Sequence, residues 1–150
     1  MNINNLIENE HCLVLTSRTK TEAILELIDI VKLSHSVKDM ENLKKEIFYR
    51  EQIMSTGIGQ GIAIPHVRFE GVENPLVIIG VSFDGIKDYD SLDGQKVQII
   101  AMILVGAEQH KEYLRILSLI VSKLKDKTLQ SKLINAQESK QIGEILKEDI

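Results

Sequence analysis

The chain carries one cysteine, no tryptophan and two prolines in 150 residues. A lone thiol, Cys12, permits no internal disulfide and no cysteine-based zinc cage. Its plainest reading is a small buried hydrophobe in a strand. Aromatic residues make up 4% of the sequence, so a core has to be built mainly from Ile, Leu and Val. No apolar run approaches the ~18–20 residues of a membrane span. The opening Met1-Asn2-Ile3-Asn4-Asn5 lacks the basic-then-apolar pattern of a secretory signal. These absences lead us to expect a soluble, reduced, cytoplasmic protein with no direct membrane insertion. The formal net charge is −4, without the basic excess that nucleic-acid binding needs. It is compatible with a basic protein partner but too small to establish one. With no repeat, low-complexity tract or proline-rich linker, residues 1–150 read as a single domain.

What is present is a run of short periodic segments. Ile3 to Asn9 suits a short helix or an extended arm, and His11 to Leu15 a short strand. Thr19-Lys20-Thr21-Glu22 has the capping-box pattern, followed by Ala23, Ile24, Leu27, Ile28 and Val31 at helical spacing. This predicts a helix near 20–33. Asp39 is placed to cap a second helix, with Met40, Leu43 and Ile47 inward, running to about Arg50 or Glu51. Ser55 to Gly61 reads as a glycine-rich loop, and Ile62-Ala63-Ile64 as a strand entering Pro65-His66. Leu76 to Val81 and Val97 to Val105 are nearly continuous apolar runs, the pattern of strands covered on both faces. Asp84-Gly85 and Asp93-Gly94 suggest turns between them. From about Glu108 to Leu124, Leu114, Leu117, Ile120, Val121 and Leu124 form a helical stripe, and Thr128 and Ser139 resemble caps of two shorter helices. Strands buried on both faces need helices on both sides. The predicted architecture is a three-layer α/β sandwich with a mixed, mostly parallel sheet.

The chemistry centres on one of four histidines. None of His11, His35, His66 and His110 has metal-ligand spacing, so no metal site is expected. His11 reads as an ordinary strand-end residue and His35 as a solvated loop residue. His66 follows a strand and a proline and stands shortly after a loop rich in donors. A histidine on a rigid element, hydrogen-bonded at one ring nitrogen, has a defined nucleophile at the other. A phosphoryl group there brings strong negative charge and three acceptor oxygens. Backbone N–H groups around Gly57, the hydroxyls of Ser55 and Thr56, and a nearby cation are suited to receive them. Spacing alone leaves His66 open between this role and a structural one.

The stretch Arg50-Glu51, Ser55-Thr56-Gly57-Ile58-Gly59 and Gly61-Ile62-Ala63-Ile64-Pro65-His66 resembles the signature of the phosphotransferase-system EIIA family, fructose/mannitol type. The likeness runs from about residue 5 to 148 and includes Leu92-Asp93-Gly94 and the histidine opening the helix at His110. It implies that His66 is phosphorylated by the phosphohistidine of the carrier protein HPr. It implies further that the group passes to an EIIB domain, on a cysteine in this subfamily, for sugar uptake. By the same resemblance His110 orients His66 or contacts the phosphoryl oxygens, and Arg50 neutralises the phosphohistidine, a role that suits a planar fork of donors. No cofactor is implied, and no glycine-rich loop followed by Lys-Ser/Thr is present for a nucleotide. Val67 departs from the small residue usual after the active histidine and narrows access to the ring, while the following Arg68 reads as solvated. Two protein partners need an apolar docking rim, for which Ile58, Ile62 and Val67 are the candidates. Two alternatives remain: a nitrogen-type regulatory EIIA-like protein that signals by binding other proteins, and a binding module in which His66 is structural. A metal-dependent hydrolase is disfavoured by the missing ligand spacing.

Overall fold

The computed structural model describes residues 6–8 and 11–148. The predicted arm at Ile3 to Asn9 lies mostly outside them. Within them Ile7 is buried.

Among the described residues, five helices and six strands follow in the order β1 (Cys12–Val14), α1 (Lys20–Ser34), α2 (Met40–Ile53), β2 (Gly57–Gly59), β3 (Ile62–Ala63), β4 (His66–Arg68), β5 (Leu76–Ile86), β6 (Val97–Val105), α3 (His110–Leu124), α4 (Lys127–Ile134) and α5 (Ser139–Glu148). Local chemistry starts the first two helices where the sequence marks them. Thr19 accepts from the Glu22 backbone N–H, and Asp39 from that of Asn42. The predicted inner residues of α1 are all buried.

The sheet runs β1-β5-β6-β3-β2, with β4 also paired to β6. The β1–β5, β3–β6 and β4–β6 pairings are parallel, whereas β5–β6 and β2–β3 are antiparallel. The sheet is therefore mixed and mostly parallel, as expected. Strand alternation divides the interior into two cores. Ile78, Ile100, Met102 and Leu104 pack with α1 and α2, while Val77, Ile79, Ile99, Ala101 and Ile103 pack with α3, α4 and α5. Each fully buried Ile or Leu of this kind contributes roughly 1.5–3 kcal/mol. Gly80 leaves a gap in β5, because a side chain there would press on Leu15 and Leu27 at 3.0–3.1 Å and hold α1 off the sheet.

Several local readings are corrected. The segment read as a loop contains β2, and with β3 it forms a hairpin. Its central residues Gln60 and Gly61 both have positive φ, which tight hairpins need to match strand twist. Asp84-Gly85 is no turn: β5 runs through it to Ile86, absorbing an irregularity after Val81 while Ser82 Oγ accepts from the Gly85 N–H. Asp126, not Thr128, caps α4 through the Leu129 N–H. Ser139 opens α5, but its hydroxyl accepts from Val14 N and ties the helix to β1. In α3 Leu114 is half exposed, and Ile116 takes the inward position. Among the described residues, no helix is long and apolar enough to cross a membrane.

Candidate active site

β3 and β4 are one strand interrupted at Ile64-Pro65. Both pair with β6 at the same offset, Ile62 opposite Ile99 and His66 opposite Ile103. Proline has no N–H for the ladder, so pairing lapses there without loss of register, and the Pro65 carbonyl still accepts from Ile103 N. His66 thus follows β3 and the proline, as expected, and itself opens β4. Alternation sends Ile62, Ile64, His66 and Arg68 toward the α3 side of the sheet, and Ala63 and Val67 toward α1 and α2.

The His66 ring is half-buried, with Nδ1 2.6 Å from the Ile64 carbonyl oxygen. A carbonyl can only accept, so Nδ1 carries the proton and Nε2 keeps its lone pair. The ring lies 5.5 Å from that of Tyr113 on α3, centre to centre. Tyr113 in turn stands 6.4 Å from the ring of His110. Tyr113 was not anticipated, although its place three residues after His110 puts the two on one helix face. Burial raises the Tyr113 phenol above its ordinary value against the opposing pull of the Arg50 and Arg68 guanidiniums. Two cations therefore bear on the space between the histidines.

Arg50, in the last turn of α2, lines a cleft of about 280 Å³ together with Ile53, Met54, Thr56 and His66. Its Nε donates to Glu46 at 2.9 Å, a bond that does not use the terminal guanidinium nitrogens. Arg68 is not merely solvated: its Nη1 lies 3.0 Å from His110 Nδ1. His110 opens α3, where unpaired backbone N–H groups and the helix dipole favour an anion.

Ser55, Thr56 and Gly57 lie differently from their sequence reading. The Ser55 hydroxyl donates to the Asp90 carbonyl at 2.6 Å. The Thr56 hydroxyl donates to buried Glu51 at 2.6 Å and sits 2.7 Å from the Tyr89 hydroxyl. The Gly57 carbonyl accepts from Leu92 N, and a Cβ at Gly57 would collide with the Asp90 backbone, so no side chain fits. These groups hold the hairpin against the β5–β6 connection, and Thr56 alone of the three lines the His66 cleft. The docking rim is also relocated. Ile62 and Val67 are fully buried and Ile58 packs on the second core, whereas Ile53 and Met54 are 65% and 75% exposed beside His66. Val67 points into the core and so does not narrow access to the imidazole. The clue to this rim was a pair of consecutive apolar residues just where α2 stops.

No group of three His, Cys, Asp or Glu residues among those described is placed to hold a metal. With this geometry in view, residues 5–149 match the family described as phosphoenolpyruvate-dependent sugar phosphotransferase system, EIIA 2. The chain belongs to this family. EIIA domains are phosphoryl-transfer components, which accords with a histidine whose Nε2 keeps its lone pair. Among curated relatives, the fructose-specific EIIABC component of Bacillus subtilis (strain 168) is 34% identical over 130 residues, 87% of this chain. This chain spans only 20% of that longer protein. A nitrogen regulatory protein of Klebsiella oxytoca is 40% identical over 104 residues, 68% of this chain and 63% of that protein. Among solved structures, nitrogen regulatory protein IIA-Ntr of Neisseria meningitidis superposes with a TM-score of 0.83 at 26% identity, covering 96% of this chain and 98% of that one. The same fold occurs in the Escherichia coli complex of enzyme IIA-mannitol with phosphorylated IIB-mannitol, at a TM-score of 0.75 and 19% identity, over 93% and 95% of the two chains.

Proposed function

We propose that this EIIA chain is a phosphocarrier of the fructose/mannitol class, taking a phosphoryl group from phospho-HPr on His66 and giving it to an EIIB domain. The observation that carries the reading is the bond from His66 Nδ1 to the Ile64 carbonyl, which leaves Nε2 as the nucleophile. In the first transfer the Nε2–P bond forms as the donor's N–P bond breaks, and the donor imidazole keeps the electron pair. In the second, a thiolate of EIIB forms an S–P bond as the Nε2–P bond breaks, and the electron pair returns to His66. Both steps depend on positioning and charge stabilisation. Arg50 offers its terminal nitrogens to the phosphoryl oxygens. His110, accepting from Arg68 at Nδ1, carries its own proton on Nε2 and has a donor to offer. Ser55, Thr56 and Gly57 support this arrangement by fixing the hairpin next to the imidazole, since their polar groups are engaged elsewhere. Exposed Ile53 and Met54 provide apolar contact for a docking partner.

The test is transfer of label from phosphorylated HPr. Wild type becomes labelled in an acid-labile, base-stable form, and His66→Ala does not. Full labelling of that variant overturns the assignment. The likeness to nitrogen regulatory proteins, 40% identity to one and a TM-score of 0.83 to another, favours a second reading in which the phosphorylated state signals to a bound protein. Incubation of the labelled chain with EIIB domains separates them: discharge marks the transport role, and retention the regulatory one.

A further inference from the structure

Among the described residues Glu51 is the only charged one in the buried class, with 4% of its side chain exposed. A carboxylate in that position is costly unless its lone pairs are filled. Three donors fill them: Lys20 Nζ at 3.0 Å, Thr56 N at 3.2 Å and Thr56 Oγ1 at 2.6 Å. Because the Thr56 hydroxyl proton goes to Glu51, the Tyr89 hydroxyl 2.7 Å away donates to Thr56 Oγ1. Lys20 completes the cluster by lying 4.6 Å from the centre of the Tyr89 ring. Well-packed apolar residues in place of a buried ion pair are often no less stabilising, so the cluster invites a reason beyond stability.

The bonds continue from the cluster to the active histidine. Thr56, gripped by Glu51 at both its N–H and its hydroxyl, turns its carbonyl to accept from Ile64 N at 3.0 Å. The carbonyl of Ile64 accepts from His66 Nδ1 at 2.6 Å. Only one residue, Ile64, separates the residue held by Glu51 from the ring. Ile64 also sits at the proline interruption of the strand, where it has no partner on β6 and its N–H is held by Thr56. We infer that Glu51 is a positioning residue for His66: by fixing Thr56, which anchors Ile64 through its N–H, it places the Ile64 carbonyl that keeps the proton on Nδ1 and leaves Nε2 free.

The consequence for transfer rests on the phosphocarrier reading, but the tautomer does not, and the experiment reads both. In the ¹⁵N-labelled full chain, two-bond correlations of the His66 ring show a protonated Nδ1 and an unprotonated Nε2 in neutral wild type. In Glu51→Gln the two nitrogen shifts move together toward the averaged values of a mixed tautomer, and labelling by phospho-HPr slows about 10- to 100-fold, the scale of a small misplacement. Thr56→Val acts in the same way, and Thr56→Ser, which keeps the hydroxyl, restores both signals. Lys20→Met, further from the ring, gives a smaller shift of the same sign. If Glu51→Gln does not fold, the Thr56→Val and Thr56→Ser pair decides the question. A purely structural role lowers melting temperature and leaves the ring shifts of every folded variant at wild-type values, which overturns the inference. Moving ring shifts in a protein that phospho-HPr never labels leave Glu51 as the tautomer anchor and remove the phosphocarrier reading instead.

Discussion

Arg68 Nη1 stands 3.0 Å from Nδ1 of His110. A guanidinium has donors and no acceptor, so His110 must accept at that nitrogen and hold its proton on Nε2. The two histidines therefore occupy opposite tautomers. His66 is protonated on Nδ1 by its bond to Ile64 and exposes a lone pair, whereas His110 is protonated on Nε2 and exposes a donor. One suits attack on phosphorus, and the other suits contact with phosphoryl oxygens. Arg68 and His66 share a face of β4 because they are two residues apart, so one strand sets both rings.

This pairing predicts coupled behaviour. Arg68→Ala and His110→Ala each slow phosphoryl transfer to His66, and the double variant is slowed by much less than the product of the two. Stopped-flow labelling of the four proteins gives the coupling, expected at about 1–2 kcal/mol for groups in direct contact. Additive effects show that Arg68 acts as a separate charge.

Tyr113 lies against both imidazoles, and its ring makes the contact. Tyr113→Phe is expected to transfer at close to the wild-type rate. Tyr113→Ala loses an aromatic contact worth about 0.5–1.5 kcal/mol and slows transfer several-fold while the chain remains folded. Circular dichroism checks the fold, and labelling kinetics check the rate.

Gly57 is required by space. A Cβ there stands 2.1 Å from the Asp90 carbonyl oxygen, which is backbone and unable to move aside cheaply. Gly57→Ala is predicted to cost about 1–3 kcal/mol in urea denaturation and to weaken the Ser55 and Leu92 bonds across the same contact.

Glu26 is one identifiable source of acid sensitivity. Its burial raises the carboxyl, but hydrogen bonds from Thr16 and Ser17 outweigh that and bring it below its ordinary value of 4.5. A carboxyl lowered in the native state stabilises the protein above the unfolded value, and this contribution is lost as pH falls through the lowered one. Glu26→Gln should therefore be less stable than wild type at neutral pH, with the gap closing as pH falls below 4.5 and through the lowered value. Urea midpoints across that range test it, and a gap independent of pH contradicts it.

Much of this molecule was legible along the chain because the governing interactions are local. Thr19 and Asp39 cap helices through residues three positions away, and a 3.6-residue period marks the inner face of α1. The apolar runs that became β5 and β6 announced a sheet covered on both faces, and Pro65 before His66 marked where the ladder lapses. The resemblance carried by Ile62 to His66 pointed to the family directly. The sequence by itself thus determined the layers and the candidate nucleophile. Tertiary structure decided what each polar group near that nucleophile bonds to. Thr56 looked available for a phosphoryl group until Glu51 and Tyr89 claimed its hydroxyl, and Arg68 looked solvated until α3 brought His110 to it across 42 residues. Ile62 and Val67 were offered as rim residues and became core, leaving Ile53 and Met54 at the surface. The physical reason is range. Caps and periodicity act within a turn or two, whereas a hydroxyl or a guanidinium bonds to whatever the packed chain sets beside it, and only the folded sheet determines that neighbour.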